Sequence, residues 1–266
     1  MTRRFSLSSI VALAALATGA TACSSSPSTS PSSDTPATAS VDSNSAETST
    51  ALVGATVAGA GTELAPPGAT NPGNVYQPAG CITATANAAS KTVTYVFNGC
   101  TGPWGLLALN GTVTVVWSVP STSKLQLQFS ASGFKVDNAT VDWMATAVIT
   151  ANGSARDMTW TGSLNGTTAG GRAFTRTNNK DLKWNVGQPC ISLAGSSDGT
   201  IAGAHLVTTV SNYQQCAGSC PAMGGDISVQ DMDDGQSWDV KFNGSADAQA
   251  TGPNGGQVSV PLECGG

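Results

Sequence analysis

From Ile82 onward the chain alternates apolar and polar residues with a period of two. Val93, Tyr95 and Phe97 alternate with Thr92, Thr94 and Val96, and Leu125, Leu127 and Phe129 with Lys124, Gln126, Gln128 and Ser130. Val141, Trp143, Ala145, Ala147 and Ile149 share one parity, as do Met158 and Trp160, then Leu182, Trp184 and Val186. Trp238, Val240 and Phe242 repeat the habit, followed by Val258, Val260 and Leu262. Successive side chains of a strand point to opposite faces, so this period predicts strands with one buried and one wet face, which means antiparallel sheet. No window of comparable length shows a helical period. The expected fold is all-β, an antiparallel meander forming a β-sandwich or a curled half-barrel.

Turn chemistry divides the strands. Asn110-Gly111, Asn152-Gly153, Asn165-Gly166, Asn243-Gly244 and Asp234-Gly235 are dipeptides suited to two-residue hairpin loops, which need positive φ. Two further segments share a plan. Cys81 to Cys100 reads as strand, turn at Ala88-Ala89-Ser90 and strand; Cys190 to Cys216 reads likewise, with Gly195-Ser196-Ser197-Asp198-Gly199 as its turn. Both open Cys-Ile-Thr/Ser, which suggests an internal duplication and disulfides Cys81–Cys100 and Cys190–Cys216 as hairpin staples, leaving Cys220 and Cys264 to tie the last strand.

The N-terminal region has a different texture. Arg3 and Arg4 precede an uncharged, largely apolar run from Phe5 to Ala17, then Ala20-Thr21-Ala22-Cys23. A basic head, an apolar core too short to span a bilayer and small residues before a cut site make a secretory signal peptide over residues 1–22. Cys23 sits where a bacterial lipobox places its acylated cysteine, although Ala20 stands where leucine is usual. Residues 24–50 are Ser, Thr, Pro and Ala with a few acids and no aromatic residue, and prolines punctuate the chain to Pro78. Such a composition buries too little apolar surface to offset ordering entropy, so residues 23–78 read as a disordered tether and 79–266 as the β domain.

Cysteine usage agrees with export. Without Cys23 the chain keeps Cys81, Cys100, Cys190, Cys216, Cys220 and Cys264, an even set that reads as three disulfides. Loss of the two leader arginines leaves nine basic against sixteen acidic residues, which argues against nucleic acid or anionic lipid as a partner. Only 10 % of the chain is charged, so its polar surface is built from Ser, Thr, Asn, Gln and Gly.

Candidate chemistry is sparse. Gly195 to Gly199 matches G-x-S-x-G, but Ser197 would need a strand-to-helix turn, and His205, the chain's only histidine, lies too close in a β-patterned segment. Asp231, Asp233 and Asp234 form the core of an acidic hairpin that approximates calcium-loop spacing without a closing glutamate. Arg156, Arg172, Arg176, Lys180 and Lys183 hold more than half of the mature basic charge, and residues 168–181 read as a long loop or irregular hairpin. Arg172 and Arg176 are thereby candidates to face an anionic ligand. Trp143, Trp160, Trp184 and Trp238 share the apolar parity of their strands, whereas Trp104 lies in Thr101-Gly102-Pro103-Trp104-Gly105 and is the candidate to face a ligand.

The layout resembles that of uncharacterised bacterial surface lipoproteins: lipobox-like leader, Ser/Thr/Pro tether and cysteine-stapled β domain. The resemblance implies an address, the cell envelope with an anchor in the lipid bilayer through acylated Cys23 at the outer membrane or cell surface, and no activity. The expected function is a non-enzymatic domain serving binding, adhesion or envelope structure, with no cofactor. Competing expectations are a carrier that curls around an apolar ligand and a serine hydrolase using Ser197 and His205.

Overall fold

The computed structural model describes residues 76, 78–101, 108–188, 190–216 and 224–262. The leader, Cys23, most of the tether, Trp104, Cys220 and Cys264 lie outside the described residues. The described chain is all-β and contains no helix. Its strands are β1 (Ile82–Asn87), β2 (Thr92–Thr101), β3 (Ala108–Ser121), β4 (Lys124–Val136), β5 (Ala139–Asn152), β6 (Ala155–Thr167) and β7 (Ala173–Asn185). There follow β8 (Cys190–Ile201), β9 (Ala204–Cys216), β10 (Asp226–Asp231), β11 (Ser237–Lys241), β12 (Asp247–Thr251) and β13 (Gln257–Pro261). All thirteen lie in one sheet in sequence order, each antiparallel to the next, and the sheet is not closed.

Period-two patterning explains why one face is inward throughout. In β5, Val141, Trp143, Ala145, Ala147 and Ile149 are all buried while Met144 and Thr146 are exposed. One contiguous core runs from Ile82 of β1 to Ala248 of β12, so the inward faces of the strands share a single interior. Aromatic rings form a ladder inside it that runs from the segment before β1 across β2 and β4 to β5. Tyr76 packs edge-on against Phe97, Phe97 against Phe134, and Phe134 against Trp143, with centroids 4.7–5.4 Å apart.

Bulges make room for this ladder, and here two expected turns prove to be something else. Asn110-Gly111 lies within β3 beside a register shift, where Asn110 Oδ1 accepts the Gly99 N–H at 2.7 Å. A Cβ at Gly111 would meet the Phe134 ring at 3.1 Å, so glycine there admits the aromatic ladder instead of turning the chain. Asn165-Gly166 lies within β6, and a Cβ at Gly166 would meet the Thr140 carbonyl and, at 3.0 Å, the Phe174 ring. The other three pairs, at 152–153, 234–235 and 243–244, fall between strands or at their ends, as the turn chemistry predicts.

Both internal hairpins are stapled as expected. Cys81–Cys100 and Cys190–Cys216 are disulfides, joining β1 to β2 and β8 to β9. Asn87 Oδ1 accepts the Ala89 and Ser90 N–H groups and fixes the first turn. The second turn is elsewhere than expected. Gly195 to Gly199 is mid-strand in β8, and the chain reverses at Ala202 and Gly203, both at positive φ. Small residues at inward positions carry no hydrophobic signal, so in sequence the segment resembles a turn.

Candidate functional site

Strand β7 departs from the rest of the inner face. Its inward positions are Phe174, Arg176, Asn178, Lys180 and Leu182, all buried, with outward Thr175, Thr177, Asn179 and Asp181 exposed. Residues 173–181 are therefore strand and not loop; only 168–172 turn the chain, held by Thr168 N–H donating to Arg172 O at 2.8 Å. The basic residues are divided accordingly. Arg172 is exposed in that turn, Lys183 points outward, and Arg176 and Lys180 point into the interior at 2 % exposure each. Arg156, at the start of β6, is buried and donates through Nη1 to Gly153 O and Ala155 O.

Register assembles a polar seam across four strands. Asn178 of β7 lies opposite Gly162 of β6 and Ser197 of β8, and Ser197 lies opposite Thr208 of β9. Arg176 Nη2 donates to Ser197 O at 2.9 Å and to Thr208 Oγ1 at 2.7 Å, so its head leans out of its own row into that of Asn178. Trp160 Nε1 donates to Asn178 Oδ1 at 2.8 Å. Gly195 faces Lys180, and a Cβ there would meet the Lys180 Cα at 2.7 Å; the strand pair closes because that position is bare. Phe129 and Trp160, with centroids 4.6 Å apart, form the apolar wall beside the seam.

Sequence reasoning names Arg176 but misses Asn178, Lys180 and Thr208 as interior groups. The available signal is parity: Phe174 and Leu182 bracket Arg176, Asn178 and Lys180 at strict two-residue spacing. An alternation judged by hydrophobicity alone stops at the first buried cation.

The G-x-S-x-G residues are separated by the sheet itself. Ser197 is inward and buried, whereas His205 is outward, its Nε2 3.0 Å from Asp198 Oδ1, with side chains about half exposed. Asp233 Oδ2 accepts the His205 backbone N–H at 2.9 Å. Serine and imidazole on opposite faces share no proton path.

Two carboxylates of the acidic hairpin are directed at its own backbone, and the third, Asp233, at the His205 N–H of β9. Asp231 Oδ1 accepts the Asp233 N–H and Asp234 Oδ1 the Gln236 N–H, each at 2.9 Å, which is local turn chemistry. Asp231 is buried at the inward end of β10. Among the described residues no three His, Cys, Asp or Glu side chains are grouped to hold a metal ion.

The outer face has a different chemistry. Gln128, Thr146, Thr161, Asn179, Ser196 and Thr209 lie in one register row across β4 to β9. Thr146 and Thr161 hydroxyls are 3.0 Å apart, and Thr175 and Thr200 pair in the same way at 3.2 Å. The row carries hydroxyl and amide groups and no charge. No family model, no curated protein and no solved structure matches this chain.

Proposed function

We propose that this is an exported, lipid-anchored, non-enzymatic domain that binds an uncharged, hydroxyl-rich partner of the cell envelope through the outer face of its sheet. Two disulfides fit an oxidising compartment outside the cytoplasm. The leader and Cys23 supply the anchor, and the Ser/Thr/Pro stretch supplies the reach. The observation that carries the reading is the contrast between the two faces. Core side chains from Val93 to Val229 stand at 0–6 % exposure, a closely filled interior among the described residues that gives the carrier reading little support. The outer row from Gln128 to Thr209 presents hydrogen-bonding groups at strand spacing, about 4.8 Å, over six strands. Separation of Ser197 from His205 by the sheet removes the hydrolase reading's support.

The test is co-sedimentation of the mature domain, lacking only the acyl chain, with washed envelope polysaccharide. Retention that survives moderate salt is expected, because uncharged contacts are not screened. An apolar ligand released on denaturation would favour the carrier instead. Turnover of an ester or glycan lost on Ser197→Ala without unfolding would establish the hydrolase.

A further inference from the structure

We propose that the free edge of β1 is a self-association surface, through which two copies of this chain pair β1 against β1, antiparallel, about a two-fold axis at Ala84. The argument is independent of the outer-face reading and begins with the ladder. Asn98 donates its N–H to Cys81 O at 2.9 Å, and the register of β1 on β2 is unbroken from Ile82 to Asn87. Hydrogen-bonded and non-bonded pairs alternate along an antiparallel ladder, so Thr83, Thr85 and Asn87 turn their backbone groups toward β2. Ile82, Ala84 and Ala86 turn theirs to the other side, where β1 ends the sheet and no described strand follows. Thr83, Thr85, Ala86 and Asn87 are exposed. Proteins commonly blunt such an edge with a charge, a proline or a bulge. The run Ile82-Thr83-Ala84-Thr85-Ala86-Asn87 has none of these, and the Cys81–Cys100 disulfide fastens it to β2 as a preformed template.

A second copy fits this edge because the edge is complementary to itself. Antiparallel pairing centred on Ala84 sets Ile82 against the partner's Ala86 and Ala84 against the partner's Ala84, so every outward N–H meets an outward carbonyl. No charge opposes the approach, since neither β1 nor β2 contains Asp, Glu, Lys or Arg. On the outer face Thr83 comes opposite the partner's Thr85, the cross-strand pairing that this sheet already uses at Thr146–Thr161 and Thr175–Thr200. On the inner face Ala86, exposed although its parity is inward, gains the partner's Ile82 as a neighbour. The opposite edge of the sheet is guarded. Leu262 donates its N–H to Ala246 O at 2.7 Å, so in β13 it is Gln257, Ser259 and Pro261 that turn their backbone away from β12. Pro261 has no N–H to offer there, which disfavours addition of β1 to β13, the head-to-tail contact that would run on from copy to copy. A two-fold pair instead closes after two copies and joins both outer faces into one surface.

Sedimentation of the mature protein without its acyl chain, from micromolar to millimolar concentration, is the test. A reversible monomer–dimer equilibrium is expected, with no larger species. Ala84→Pro removes an outward donor and leaves the β1–β2 ladder its bonds. Thr83→Lys combined with Thr85→Lys sets like charges opposite each other across the two-fold axis, on exposed positions. Each change should raise the dimer dissociation constant at least tenfold with Tm within a few degrees of the wild type, and the lysine pair decides the matter if Ala84→Pro does not fold. Ser259→Pro, the matching change on β13, should leave the dimer as it is. A protein that stays monomeric throughout this range, a dimer indifferent to a folded β1 variant, or oligomers lost on Ser259→Pro would overturn the proposal.

Discussion

Arg176 Nη2 reaches across two strands to the Thr208 hydroxyl at 2.7 Å, inside a face that elsewhere in the sheet is almost wholly apolar. A charge-assisted hydrogen bond of this kind, in a dry interior, is short and stronger than a neutral one. It joins β7 to β9 over the intervening β8 and so resists separation of three strands at once.

Thr208→Val keeps the shape and removes the acceptor. The guanidinium then loses one bond in a buried setting, which costs about 1.5–3 kcal/mol. Urea unfolding should show a lower midpoint with an unchanged slope. A loss under about 0.5 kcal/mol, the size expected of an indifferent surface site, would mean that the bond does not help hold the seam.

Gly195 and Gly153 are both at positive φ, and only Gly195 is also crowded. Gly195→Ala, at a φ of +147°, adds to its backbone strain a methyl against the Lys180 backbone, and overpacking of that kind costs about 1–3 kcal/mol more. Gly153 is at a φ of +59° with open space around it, so Gly153→Ala carries only the left-handed backbone cost of roughly 1–2 kcal/mol. Amide exchange along β7 and β8 should rise in the first variant alone. Equal exchange in both would contradict the close approach.

These residues also mark where the sequence is legible. Trp143 and Trp160 are readable as core because apolar side chains recur at every second position around them. Both hairpin disulfides are readable because each cysteine pair brackets a strand–turn–strand pattern. Arg176, Asn178 and Lys180 resemble a solvated loop, since their burial depends on β6 and β8, which single-strand patterning does not see. Gly111 and Gly166 mislead for the opposite reason: a signal for turning also serves close packing against Phe134 and Phe174.

Each disulfide closes a loop of moderate length, 19 residues for Cys81–Cys100 and 26 for Cys190–Cys216. In the chain-entropy account either one stabilises by roughly 3 kcal/mol. Paired Cys→Ser replacement at either site should lower Tm markedly, and the two losses should add, because the staples lie in separate hairpins. Strong coupling between them would indicate that the two hairpins fold as one contact unit.

Asp137 gives the pH prediction. Burial raises its carboxyl pKa, partly offset by the Ala108 N–H, which donates to Oδ1 at 2.8 Å. A raised carboxyl pKa means that the folded state binds the proton more tightly, so this group's contribution to stability falls as pH rises through the carboxylate range. Asn keeps the acceptor for Ala108 and tolerates the φ of +51°, while removing the charge. Asp137→Asn should therefore be neutral to stabilising at pH 7, with that advantage gone at pH 3. Denaturation midpoints at the two values check it; a clear loss of stability at pH 7 would show that the ionised group is favourable.

The central claim is that the outer face binds the partner, and a charge scan of its row measures this directly. Thr146→Lys, Thr161→Lys and Thr209→Lys alter side chains that face solvent, so Tm should move by no more than a few degrees. Binding of the mature domain to washed envelope polysaccharide should fall at least tenfold when the three are combined, because three hydroxyl contacts are replaced by bulky, strongly hydrated charges. Unchanged binding by the folded triple variant would contradict the assignment of this face.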